Sequence, residues 1–177
     1  MPPAFTRSQR GVVLAISLII LLLLTLLALS AMRQTLLEQH MAANLKNHAL
    51  SFQAAEAALR QGEAWVGGLT EPPPECARAP CSPASVRPAG EPKPPIARDR
   101  AWWTHNARAA AAPGGVSHKP RFIVARRAWQ PDDRRATCTS YSDACTGRTY
   151  FSVAVRATGI DDTAVTILRS VFSKRFR

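Results

Sequence analysis

Acidic residues are scarce in this 177-residue chain: 12 Asp and Glu face 23 Lys and Arg, a formal charge of +11. Residues 1 to 10, MPPAFTRSQR, contain no acid, and the stretch from Val12 to Leu29 contains no charge of either sign. The four histidines, His40, His48, His105 and His118, are too dispersed to form an acid-base set or to converge on a metal. No glycine-rich phosphate loop occurs. Asp161 and Asp162 lack the ligand spacing of a calcium loop, and a hairpin turn accounts for them. The basic excess forms no dense run, and aromatic residues do not interleave with it as a stacking platform for nucleic acid requires. These gaps weigh against an enzyme, a cofactor or metal protein and a nucleic-acid binder, and leave a structural chain as the expectation.

What is abundant is apolar helix. VVLAISLIILLLLTLLAL, Val12 to Leu29, would span about 27 Å as a helix, close to a bilayer core. Its polar side chains, Ser17 and Thr25, can bond back to their own helix. From Arg33 to Val66 there is no proline. Leu37, Met41, Leu45, Phe52, Ala55, Leu59 and Val66 fall at steps compatible with one helical stripe. One helix is therefore predicted through the transmembrane part, 12–32, and an amphipathic part, 33–66. It stops at Gly67-Gly68 before Pro72, Pro73 and Pro74, after on the order of 80 Å. Within it, the alanines of AAEAALR permit close approach of another helix, and Glu56 is placed to pair with Arg60.

Arg7 and Arg10 before the apolar run keep the amino terminus cytoplasmic and send the rest outward. Leu27 to Ala31 loosely fits a signal-peptidase site, but cutting there would discard half of a continuous helix. A cut after Gly11 would preserve it.

A short basic leader ending in glycine, followed by an apolar helix that becomes amphipathic, resembles the class III signal and amino-terminal helix of type IV pilins. Leu21 to Glu63, LLLLTLLALSAMRQTLLEQHMAANLKNHALSFQAAEAALRQGE, is similar to the PilX-type minor pilins in particular. The resemblance implies a prepilin leader, 1–11, cut by a prepilin peptidase between Gly11 and Val12, with methylation of the new amino terminus. It implies a single-pass inner-membrane protein with a periplasmic head, incorporated in the pilus at its tip. Its partners would be membrane lipid, other minor pilins, the major pilin and a tip adhesin.

Type IV pilins in general usually carry glutamate at the fifth mature position, where the resemblance implies a bond to a neighbour's amino terminus. Counted from Val12, that position is Ile16. A carboxylate in an apolar fibre core is costly unless it meets a cation. A subunit without one fits the fibre tip or an initiating complex, where no earlier subunit presents an amine. Two other classes remain open. One is a GspK-like pseudopilin of a type II secretion system, which carries a larger added domain. The other is an unprocessed membrane-anchored periplasmic binding protein.

The four cysteines fall as two local pairs, Cys76 with Cys81 and Cys138 with Cys145. Four cysteines permit three connectivities, and local disulfides bracketing turn-rich segments are expected in an oxidising periplasm. A tetrahedral zinc site is the alternative, although neither pair has CxxC spacing. The proline-rich segment within 67–100 reads as an extended surface loop.

About 110 residues outside the helix suffice for one small domain. The head, 101–177, is expected to be α+β, a small antiparallel sheet packed on the helix stripe of Phe52, Ala55 and Leu59. Arg100 to Ala112 reads as a short helix whose Trp102 and Trp103 cap the core. Arg121 to Trp129 is rich in strand formers. A hairpin follows: Thr149 to Thr158 with Phe151, Val153, Val155 and Ala157 inward, and Thr163 to Phe172 with Val165, Ile167 and Val171 inward. Lys174 to Arg177 is expected to fray.

Overall fold

The computed structural model describes residues 10–78, 85–88, 90, 94–133 and 146–176. The chain is α+β: a helix α1, Arg10–Gly67, a short helix α2, Arg100–Asn106, and four strands, β1 Arg108–Ala109, β2 Arg121–Pro131, β3 Gly147–Thr158 and β4 Val165–Phe176. The strands form one antiparallel sheet in sequential order. Two compact units divide the chain, Met1–Leu45 and Lys46–Arg177.

In the first unit every side chain from Val12 onward is exposed. Three of its hydroxyls bond back to the helix: Ser17 donates to Leu14 O at 2.8 Å, Thr25 to Leu22 O at 2.8 Å and Thr35 to Ala31 O at 3.1 Å. The backbone and these hydroxyls therefore need no water, as a spanning helix requires. By length and composition the helix is able to cross a membrane.

In the second unit, the last turns of α1 lie on the sheet. The buried helix positions are Asn47, Ser51, Ala54, Ala55, Ala58, Gly62 and Val66, three or four residues apart except for the adjacent Ala54 and Ala55, and nearly all small. Small side chains let the helix approach the strands closely. A Cβ added to Gly62 would sit 2.5 Å from Val153 Cγ1 and 3.1 Å from the Phe122 ring. The core below this face comprises Phe122, Val124, Phe151, Val153, Val155 and Phe176, with Leu59 half-buried beside it. Ala55 belongs to this contact, but Phe52 does not: it is 50 % exposed, because the face meeting the sheet is centred on the small residues, one position away. The alanines predicted to admit another helix instead meet the strands.

β3 follows its predicted alternation, with Phe151, Val153, Val155 and Ala157 all buried. The return strand is one residue out of phase with expectation. Phe151 pairs with Phe172 and Val155 with Leu168, and directly opposed residues share a face. Leu168, Phe172 and Phe176 therefore face the core, whereas Val165 and Val171 are exposed, Val171 at 65 %. TAVTILRSVF has apolar residues in both phases, so only pairing to β3 selects one. The strand also continues to Phe176, which is 1 % exposed and packs edge-on against Phe151 at 6.3 Å. This buried anchor replaces the expected frayed end.

The opposite face of the sheet is covered as well, where Trp103 packs on Ile123 and Ala154. Asp99 caps α2 by accepting from Trp102 N at 2.9 Å. The helix ends at Asn106, six residues before the predicted Ala112. Alanine favours helix by a few tenths of a kcal/mol per residue, but tertiary partners outweigh that here. Ala110 N donates to Pro120 O, Ala111 N to Gln61 Oε1, and Arg108 donates to Ser85 O while its guanidinium lies 3.6 Å from the Trp65 ring centre. The described part of the proline-rich segment is likewise tied to the sheet: Arg87 N donates to Val124 O, Arg126 N to Arg87 O, and Val86 is buried in the core.

Replacing Phe151 with alanine should cost about 3–5 kcal/mol in denaturant unfolding of the detergent-solubilised chain. Phe52→Ala should stay within about 0.5 kcal/mol, and Gly62→Val should cost about 1–3 kcal/mol through overpacking. Equal losses at Phe52 and Phe151 would contradict this assignment of the buried face.

Candidate assembly surface

Two features of α1 bear on assembly, one in each unit. In the first unit, Val12 and Ile16 are exposed, as are the stripe residues Leu37, Met41 and Leu45. Gly11 lies in the first turns of the helix. A run of exposed side chains this apolar is stable only against lipid or other apolar helices. No acidic residue occurs between Val12 and Leu29, so this surface makes contact by shape and dispersion rather than by charge.

In the second unit, α1 is clamped to the turn between β3 and β4. Asn47 donates through Nδ2 to Asp161 Oδ1 at 2.8 Å and accepts through Oδ1 from Ile160 N at 2.7 Å. Four residues on, the Ser51 and Thr166 hydroxyls are 2.7 Å apart. Gly159 sits against Asn47 so closely that a Cβ would collide with both the Asn47 side chain and its carbonyl. The turn is further braced from within, where Thr163 N and Oγ1 donate to Asp161 Oδ1 at 2.9 and 2.5 Å. These bonds from the Thr163 hydroxyl, Asn47 and the Thr163 backbone stabilise the charged form and hold the Asp161 carboxyl down at about 2.

The neighbouring Asp162 joins a different set. Arg100 binds it at 2.6 Å and His118 at 3.0 Å, and Ser117 donates to it at 3.2 Å. Desolvation pushes the Asp162 carboxyl up, but the hydrogen bonds from His118 and Ser117 and the nearby His118 and Arg100 charges together leave it below its ordinary value. The two acids predicted as a hairpin turn are thus the turn's fastening to α1 and to the α2 side of the sheet.

Of the other predicted positions, Cys76 is disulfide-bonded, while Cys81, Cys138 and Cys145 lie outside the described residues. Among the described residues, no ion pair joins Glu56 to Arg60, and no group of three or more His, Cys, Asp or Glu is placed to hold a metal ion. The residues that sequence reasoning missed are Asn47, Ser51, Gly62 and Gly159. The signal for the first three was their spacing of four and then eleven along one helix face, joined through Ala55 and Ala58.

An exposed apolar helix able to span a membrane, running into a face of small residues laid on an antiparallel sheet, defines a helix-anchored α+β subunit. Residues 10–60 match the PilX N-terminal family model. No curated protein and no solved structure matches the chain. The match, confined to the helix, supports a PilX-type pilin assignment, suggests a minor pilin of the type IV pilus, and is consistent with association with other pilus components.

Because the folded-state pKa of Asp161 is depressed from 3.8 to about 2, its contribution to stability is complete above the unfolded value and is lost as pH falls towards 2. The melting temperature should therefore drop between pH 4 and pH 2. Asp161→Asn should lower it at neutral pH and lose less on acidification; an unchanged acid slope in that variant would rule out Asp161 as a source.

Proposed function

We propose that this chain is a PilX-like minor pilin that primes or caps type IV pilus assembly from the inner membrane, with a structural rather than a catalytic part in the process. The observation that carries this reading is the single helix Arg10–Gly67, whose exposed apolar segment falls inside the PilX N-terminal match.

On this reading a prepilin peptidase cuts between Gly11 and Val12, and the mature helix waits in lipid with its head periplasmic. The helix then docks laterally on other minor pilins through the surface that includes Leu37, Met41 and Leu45. The absence of a carboxylate at Ile16 supports a place at the start of a fibre. A first subunit has no preceding amine to neutralise such a charge, and an unpaired carboxylate among apolar helices is strongly disfavoured. The exposed first-unit helix is extracted from lipid only if neighbouring helices replace the lipid contacts, which couples removal from the membrane to assembly.

The test is the amino-terminal mass of the protein recovered from membranes with and without a prepilin peptidase. A mature start at Val12 supports the reading, with Gly11→Leu remaining uncut and unassembled. A start at Met1, or one near Ser30 or Ala31, would overturn it.

A further inference from the structure

Basic residues that are dispersed in sequence converge on one side of the second unit. A cleft of about 320 Å³ is lined by Arg100, His118, Lys119, Arg121 and Arg156, with Trp103 at its wall. Arg121 and Arg156 are register partners on β2 and β3. Like charges directly opposed across a sheet are destabilising, so this pair is a fold-level cost that hydrophobic packing does not explain.

The charges around the pair do little to offset it. Among the described residues Arg121 donates to carbonyls, Thr104 O at 3.0 Å and Ala107 O at 3.1 Å. Among the described residues, the carboxylate joined to this cluster is that of Asp162, which is already engaged by Arg100 and His118. The Arg156 guanidinium is desolvated, which lowers its pKa; the Asp162 charge opposes that shift and Arg100 reinforces it. The Trp103 indole N–H is buried without a hydrogen-bond partner among the described residues. Four permanent cations around one occupied carboxylate leave the cleft short of negative charge.

We infer that the cleft between α2 and the Arg121–Arg156 strand pair is a binding site for a phosphate group carrying two negative charges. Guanidinium groups offer fixed forks of N–H donors matched to phosphate oxygens, and Lys119 adds a point charge. A dianion compensates the excess charge more fully than a single carboxylate does. The site is independent of the membrane helix, so it stands or falls apart from the pilin reading. A free phosphate ion and a phosphate carried on a sugar present the same oxygens to this site.

The experiment is thermal unfolding of the full chain in detergent at constant ionic strength, titrated with inorganic phosphate and, separately, with acetate. Phosphate at about ten times its Kd should raise the melting temperature by on the order of 4 °C, and acetate should do so far less. Arg156→Gln should weaken the phosphate response at least about tenfold, while Arg148→Gln, at the far end of β3, should preserve it. In phosphate-free buffer Arg156→Gln should melt no lower than the parent chain, because it removes the like-charge pair. Glucose 6-phosphate binding as well as phosphate or better assigns the site to a carried phosphate, and tenfold weaker binding assigns it to the free ion; both uphold the site. Equal responses to acetate and phosphate, an undiminished response in Arg156→Gln, or a lower melting temperature for that variant without phosphate would each overturn it.

Discussion

Close approach of a helix to a sheet is the constraint on which the second unit rests. Asn47, Ser51, Ala54, Ala55, Ala58 and Gly62 form the buried face, and their small volumes let Val153 and Phe122 pack almost against the helix backbone. A larger residue at Gly62 would push the helix away and open the core around Phe151. The same nearness brings Asn47 within hydrogen-bond reach of the β3–β4 turn, so the clamp depends on the packing. The turn residue Gly159 is needed for the same reason, since a side chain there would strike Asn47.

The first unit obeys a different constraint. The Ser17 and Thr25 hydroxyls bond back to its own backbone, and the run from Val12 to Leu29 is nearly all apolar and exposed. Such a surface requires lipid or other helices, and the proposed role supplies both in succession. Within the proposed role, the missing carboxylate at Ile16 removes a specific electrostatic contact and leaves packing alone to hold the subunit. The two segments of α1 thus divide the work by composition. Leucine and isoleucine face an apolar environment outside the chain, while alanine, serine and glycine face its own strands.

Several features of the second unit were visible in the sequence only in part. β3 was legible because a clean alternation of Phe151, Val153, Val155 and Ala157 with polar or small residues admits one inward face. β4 was not, because Val165, Ile167, Leu168, Val171 and Phe172 populate both faces, and pairing to β3 chooses the one with Leu168 and Phe172. Phe176 sits among lysine and arginine, so its burial against Phe151 is invisible without that register. The alanines after Asn106 read as helix because propensity is local, whereas the hydrogen bonds that pull them into an edge strand come from Pro120 and Gln61. The cleft of basic residues was missed because its members, from Arg100 to Arg156, lie up to 56 positions apart in sequence and only the sheet brings them together.

The sequence by itself determined the long helix, its apolar and amphipathic division, the α+β class and the PilX-type resemblance, because helical periodicity and uninterrupted apolar character are local properties that no distant contact needs to supply. Tertiary structure alone decided which side of α1 is buried, the phase and length of β4, the end of α2 and the meeting of Arg121 with Arg156. Each of those depends on which residues are brought opposite one another across the sheet, and pairing over long sequence separations is set by the packed core as a whole rather than by any segment within it.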